Sequence, residues 1–197
     1  MSHLHNPFRY DYVGSFLRPE NLKQARRDFD EGKIDYAKLK EVEEQAITDL
    51  ITKVKSLGYH VITDGEFRRA TWHLDFMWGL DGVGHVKTKT GLPFHGEAAM
   101  IDDTYLVGKI GLSKEHPFVE HFRFVKQFED ENTVAKQTIP APAQVLAQFT
   151  MPFNREATEQ FYESDDKLID DLVTVYKKVI DDLYAAGCRS CSYLWSA

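Results

Sequence analysis

Apolar positions recur along the chain with two different periods, and the switch between them predicts the element order. Leu39, Val42, Ala46, Ile47, Leu50, Val54 and Leu57 fall on one stripe at helical spacing. Asp35 is placed to cap this helix and Gly58 to end it in a left-handed turn. Tyr59-His60-Val61-Ile62-Thr63 then predicts a strand that ends in Asp64-Gly65-Glu66-Phe67. The same grammar returns later. Ser164, Asp165 and Asp166 predict a helix start, with carboxylates at the positive end of the dipole. Leu168, Leu172, Val175, Tyr176, Val179, Ile180 and Leu183 form the stripe, Gly187 closes it, and a strand-like run follows from Cys188 to Trp195.

Two further strands complete the pattern. Tyr12-Val13-Gly14-Ser15-Phe16 reads as a short strand leaving through Leu17-Arg18, with Pro19 opening a helix that stops near Gly32. Val134 to Ile139 reads as another strand, running into Pro140-Ala141-Pro142. Between the second and third strands lies an excursion over residues 80–130. It opens rich in glycine (Gly79, Gly82, Gly84, Gly91 and Gly96), then shows a hairpin-like alternation from Thr104 to Ile110 and a short helix from Pro117 that uses Phe118, Phe122 and Val125. Strands alternating with helices of this length predict an α/β chain with a parallel sheet or barrel, in a single domain over residues 1–197. A full (β/α) barrel needs eight such units and roughly 250 residues. About four strands are visible here, so the expectation is half a barrel with an open edge, which homo-oligomerisation would cover.

Composition narrows the function classes. Hydrophobic residues make up 43% of the 197, and aromatic residues 13%, enough for a sizeable core. The balance of 24 basic against 31 acidic residues gives a net charge of -7, which disfavours nucleic acid and anionic membrane as partners. The first residues, Met1 to Pro7, lack the basic and apolar regions of a signal peptide, and no apolar run is long enough to span a bilayer. Cys188 and Cys191 are too close to staple a fold. A soluble cytoplasmic protein is expected.

Chemistry in a (β/α) barrel gathers at the C-terminal ends of the strands. Gly14-Ser15 offers backbone N–H groups and a hydroxyl for a carboxylate, and Glu66 could accept from an ammonium, a pairing that suits an amino-acid zwitterion. By spacing alone, a solvated Asp-Gly-Glu turn and a tight Gly-Ser bend are the simpler reading. Asp64 and Glu66 stand too near one another on one turn to flank a glycosidic bond. Cys188-x-x-Cys191 has ligand-like spacing, yet a strand points alternate residues to opposite faces. The site would also need His60, His73 or His95, so two buried thiols are expected and no metal ligand. His3 and His5 are assigned to a mobile terminus.

Three long runs are collinear: Val13-Gly14-Ser15-Phe16-Leu17-Arg18-Pro19, Ile62-Thr63-Asp64-Gly65-Glu66-Phe67-Arg68-Arg69, and Ala135-Lys136-Gln137-Thr138-Ile139-Pro140-Ala141-Pro142-Ala143-Gln144. From about Pro7 to Arg189 the chain resembles the catalytic C-terminal domain of cobalamin-independent methionine synthases. The resemblance is to their short bacterial 5-methyltetrahydropteroyltriglutamate–homocysteine methyltransferase-like branch. It implies a (β/α)8 TIM-barrel type fold, here about half a barrel with a hairpin and helix inserted after the second strand. It implies methyl transfer from methyltetrahydrofolate to homocysteine. Gly14 and Ser15 would then hold the homocysteine carboxylate, with the carbonyl of Val13 near the amine and Glu66 as the amine's partner. Asp64, Arg18, Trp72 and Gln148 are candidates for the remaining substrate or folate pocket.

The departures are equally specific. Gln148 stands where the family's folate-stacking tryptophan is expected, a departure at the donor site; Trp72 and Trp78 are candidate replacements. The resemblance implies zinc held by a His-x-Cys pair, a Glu and a later Cys, all from the C-terminal half of the barrel and none in this chain. After Arg189 the family continues into an acidic pair that contacts the homocysteine amine, whereas here Ser190-Cys191-Ser192-Tyr193 follows. The expectation is an interrupted reading frame near codon 190, which fails if downstream DNA encodes no His-x-Cys segment. Two alternatives stay open: a related enzyme with another thiol or methyl donor, and a non-catalytic fragment that binds an amino acid or self-associates.

Overall fold

A computed structural model describes residues 11–86, 92–94, 97–99 and 103–194. His3, His5, Gly91, His95, Gly96 and Trp195, named above, lie outside them. In chain order the elements are α1 (Glu20–Asp30), α2 (Tyr36–Ser56), β1 (Val61–Ile62), α3 (Leu74–Trp78), β2 (Asp81–Val86), β3 (Leu92–Phe94), β4 (Glu97–Ala99) and β5 (Asp103–Gly111). They continue with α4 (Pro117–Lys126), β6 (Val134–Ala135), β7 (Gln137–Pro140), α5 (Pro142–Thr150), α6 (Pro152–Glu159), α7 (Asp165–Ala185) and β8 (Cys191–Leu194). The fold is mixed α/β. The described strands pair two by two, β1 with β6, β2 with β5, β3 with β4 and β7 with β8, and do not close a barrel. Among the described residues no helix is long and apolar enough to cross a membrane.

The chain forms two compact units. The first holds residues 11–69, 121–138 and 188–192 of those described. Its β1 and β6 run parallel, with Val61 opposite Val134 and Ile62 opposite Ala135. Lys136 N continues the ladder onto Ile62 O, and Gln137 N donates to Ser190 O. Helix α2 packs against β1 and buries Leu39, Ala46, Ile47, Ile51 and Val54. Its ends follow the sequence: the Asp35 carboxylate accepts from Lys38 N at 2.9 Å, and Gly58 has φ +83. Leu57, assigned to the apolar stripe, is instead 65% exposed at the C-cap.

The N-terminal strand expected over residues 12–16 does not form. Gly14 turns to φ +92, and the segment reaches its neighbour through one backbone bond, Phe16 N to Gly65 O at 3.1 Å. The run from 134 to 139 forms two strands, β6 and β7, which part at Lys136.

The second unit holds residues 70–120, 139–187 and 193–194 of those described. Its β2 and β5 pair antiparallel as a ribbon inside the expected excursion, with a register shift between Asp81 and Val83. Helix α7 buries Leu168, Leu172, Val175, Tyr176, Val179 and Leu183. Phe76, His116, Phe118 and Tyr176 form an aromatic cluster beside it, with ring centroids of Phe76 and Tyr176 5.2 Å apart. Ile180 departs from the expected stripe and is exposed. With Ile169 and Val173 it lines a groove of about 370 Å³ against Pro142, Ala143 and Leu146 of α5. Ser164 precedes α7 in extended conformation, but its hydroxyl makes no capping bond.

Candidate functional site

The site is built where β1 ends. Val61 and Ile62 are fully enclosed, and burial continues through Thr63, Asp64, Gly65 and Glu66. Two consecutive residues then enter the left-handed region, Gly65 at φ +61 and Glu66 at φ +59. A residue with a Cβ costs roughly 1–2 kcal/mol there. Local bonds oppose that cost. Thr63 Oγ1 accepts from Gly65 N at 3.1 Å, and Asp64 Oδ1 accepts from Glu66 N at 2.9 Å. The Arg18 guanidinium donates to the carbonyls of Glu66 at 3.0 Å and Arg69 at 2.6 Å, and Arg26 donates to the carbonyl of Phe67. Arg18, a pocket candidate by sequence, therefore clamps the backbone of the turn.

The Glu66 carboxylate is only 2% exposed. Its Oε1 accepts from Arg69 Nη1 at 3.2 Å and from Thr138 Oγ1 at 3.1 Å. Arg69 Nη2 also donates to Thr138 O at 2.7 Å and to Thr138 Oγ1 at 2.9 Å. Burial pushes the Glu66 carboxyl pKa up, while the Arg69 charge and the Thr138 hydroxyl pull against it. Asp64 is equally buried, and its second oxygen, Oδ2, has no hydrogen-bond partner among the described residues.

The Gly14–Ser15 bend adjoins this turn through the Phe16–Gly65 bond, with Val13 and Ser15 exposed. A buried lysine holds the bend's approach: Lys136 Nζ lies 2.7 Å from Asp11 Oδ2 and also donates to Tyr12 O. The Tyr12 ring meets Phe16 and Tyr59 edge-on, and burial pushes its hydroxyl up to about 12. Val13, Gly14, Ser15, Arg18, Asp64 and Glu66 thus fall in the first unit. Trp72 and Gln148 fall in the second. Trp72 is half-buried with its ring centroid 4.4 Å from that of His73, and Gln148 is buried within α5.

Sequence reasoning did not assign Arg69, Thr138 or Lys136. All three lie inside the quoted runs. Only the i, i+3 spacing of Glu66 and Arg69 hinted at a pair, and outside a helix that spacing carries little weight. Cys188 is buried, with its thiol directed at Ser190 O at 3.2 Å, but Cys191 is exposed, against the expectation of two buried thiols. Among the described residues no group of three His, Cys, Asp or Glu side chains could hold a metal ion.

No family model matches the chain. Two uncharacterized proteins of Bacillus subtilis, YxjH and YxjG, are each 36% identical to it over 183 and 184 residues, or 93% of this chain. The chain spans about half the length of these relatives, 46% and 47%. A crystal structure from Listeria monocytogenes, provisionally named a vitamin-B12-independent methionine synthase, is 34% identical with a TM-score of 0.74. That match covers 95% of this chain and 51% of the other. A B12-independent methionine synthase from a Shewanella species, solved with selenomethionine, shares the fold at a TM-score of 0.57 and 19% identity, over 82% of this chain and 43% of its own. Over nearly all its length, then, this chain is similar to about half of a methionine-synthase-like structure and has the α/β architecture of a partial TIM-type barrel.

Proposed function

We propose that the first unit carries the amino-acid-binding part of a homocysteine methyltransferase. The observation that carries this reading is the bond from Phe16 N to Gly65 O, which sets the Gly14–Ser15 bend against the turn bearing Glu66. A carboxylate would meet the bend's N–H groups and the Ser15 hydroxyl, and an ammonium would meet Glu66 near the carbonyl of Val13. In the whole protein the reaction would be methyl transfer from methyltetrahydrofolate to homocysteine, with Asp64 as a candidate for the rest of the pocket in this unit.

The reading also implies zinc, which when bound would hold the substrate sulfur as a thiolate. The described residues do not fit it. Cys188 spends its thiol on Ser190 O, Cys191 is exposed, and neither has two further donors grouped with it among the described residues. No step is therefore assigned to this chain beyond binding and orienting the amino acid.

Calorimetric titration with L-homocysteine tests the reading. Saturable binding is expected, weakened about ten- to a hundred-fold in Glu66→Gln, the range for a lost hydrogen bond to a charged group. Equal binding by the two proteins refutes the role given to Glu66.

A further inference from the structure

Arg69 is the largest fully buried side chain among the described residues, at 1% exposure. Its guanidinium reaches across the strand ends. One nitrogen meets Glu66 Oε1 at 3.2 Å, and the other meets both oxygens of Thr138, at 2.7 Å for the carbonyl and 2.9 Å for the hydroxyl. Thr138 Oγ1 closes the triangle by donating to the same Glu66 oxygen at 3.1 Å. Two side chains, one of them 72 residues away along the chain, thereby fix one carboxylate oxygen.

The backbone arrangement repeats the emphasis. Glu66 sits in a left-handed conformation that its own side chain disfavours, and the carbonyls of Glu66 and Arg69 are both clamped by Arg18. Charge pairs of this depth barely repay their desolvation, so their specific geometry is what distinguishes them from an apolar replacement.

We propose that Arg69, braced by Thr138, is the positioning residue of this site and holds the Glu66 carboxylate charged and aimed at the ammonium group of an α-amino acid. The inference rests on the reading of Glu66 given above. The chemistry is ordinary electrostatics. A buried carboxylate favours its neutral form, and a neutral carboxyl is a poor partner for an ammonium. The groups that face Glu66 are Arg69 and Arg18, which favour the charged form, Asp64, which opposes it, and the Thr138 hydroxyl, which favours it. Arg69 comes first among these opposing influences. One oxygen held by Arg69 and Thr138 also fixes the plane of the carboxylate, so the direction of approach for an ammonium is set before any ligand arrives. Lysine at this position would keep the charge but lose the fork that spans Glu66 and Thr138.

The experiment combines a ligand-free readout with a binding one. The carboxyl carbon of Glu66 is followed by 13C NMR from pH 4 to 9 in the wild-type chain, Arg69→Lys, Arg69→Met and Thr138→Val, with circular dichroism to check folding. L-Homocysteine titrations are run on the same proteins and on Glu66→Gln. The titration midpoint of Glu66 is expected to move upward in Thr138→Val and further in Arg69→Met. Arg69→Lys should restore the midpoint in part while leaving homocysteine binding about ten-fold weaker. Should Arg69→Met fail to fold, Thr138→Val and Arg69→Lys carry the test. An unmoved midpoint in these variants overturns the inference, whatever the binding data show. A moved midpoint with homocysteine affinity equal in Glu66→Gln and wild type overturns the amino-acid reading instead, and with it the purpose assigned to Arg69.

Discussion

Replacing Gly65 by alanine probes the turn that carries Glu66, and a second glycine supplies the control. Gly65 has φ +61, and an added Cβ would stand 2.4 Å from Leu50 Cδ2 and 3.4 Å from the Phe67 ring. Gly58 has φ +83, and an added Cβ would meet nothing within 4 Å. Both substitutions incur the left-handed penalty of roughly 1–2 kcal/mol. Both also recover about 0.4–1 kcal/mol because alanine restricts the unfolded chain. Gly58→Ala should therefore destabilise by about 0.5–1 kcal/mol. Gly65→Ala must in addition drive Leu50 from its place. Leu50 is only half-buried and its terminal methyl can swing aside, so the added cost is that of an off-rotamer side chain, about 0.5–1.5 kcal/mol. Urea unfolding followed by circular dichroism would measure both, together with Leu50→Ala and the double variant Leu50→Ala/Gly65→Ala. The cycle should show a favourable coupling of about 1 kcal/mol, since truncating Leu50 vacates the volume the new methyl needs. If Gly65→Ala costs no more than Gly58→Ala, or the cycle closes with no coupling, the close approach of the turn to α2 is not what requires glycine there.

Two further outcomes follow from the same geometry. Glu43 is 4% exposed between Arg26 at 3.2 Å and Arg68 at 3.5 Å, and burial pushes its pKa up to about 7. A carboxyl that is harder to ionise when folded contributes its full stability below its unfolded pKa and loses it as pH rises through the folded value. Wild type should thus lose up to about 3 kcal/mol relative to Glu43→Gln between pH 4.5 and pH 7; parallel stability curves for the two proteins would refute this. At the helix starts, Asp35→Ala should cost about 1 kcal/mol because its carboxylate accepts from Lys38 N, whereas Ser164→Ala should cost only a few tenths because Ser164 makes no such bond. Thermal melts of the two variants would test the contrast, and equal losses would overturn it.

The helices were legible because their signals are local. α2 is bounded by Asp35 and Gly58, α7 by Ser164 and Gly187, and each buries an apolar stripe that any helical wheel reveals. Ile180 escaped because a stripe defines only the side of a helix, and over 21 residues α7 offers positions that the core does not reach. The strands were legible in place but not in length. β1 and β6 pair over two residues each, an extent set by the partner and not by the run of β-branched residues. α5 was missed although Pro142 at its first turn is a recognised start signal, because Pro140-Ala141-Pro142 reads first as the end of a strand.

The site divides along the same line. Glu66 could be singled out from its place in a recognisable run, but nothing in that run predicts its backbone conformation. A glutamate at φ +59 contradicts local propensity, and Glu66 is the one described residue other than glycine found at positive φ. Such conflicts cost about 1–3 kcal/mol and persist only where surrounding groups over-determine them. Here the determinants are Arg18 from the segment before α1, Asp64 beside it, Arg69 beyond it and Thr138 on β7. The Asp64 and Arg69 contacts are local but follow no helical or strand period, and those from Arg18 and Thr138 span 48 and 72 residues, so none leaves a periodic trace in the sequence. Fold and site were therefore readable to different degrees for a single physical reason: the fold follows from local propensity that tertiary contacts reinforce, whereas Glu66 is held by tertiary contacts that override local propensity. A residue held against its preference by four separate side chains is also the residue whose carboxylate is best defined in space. That definition is what recognition of a small charged group requires.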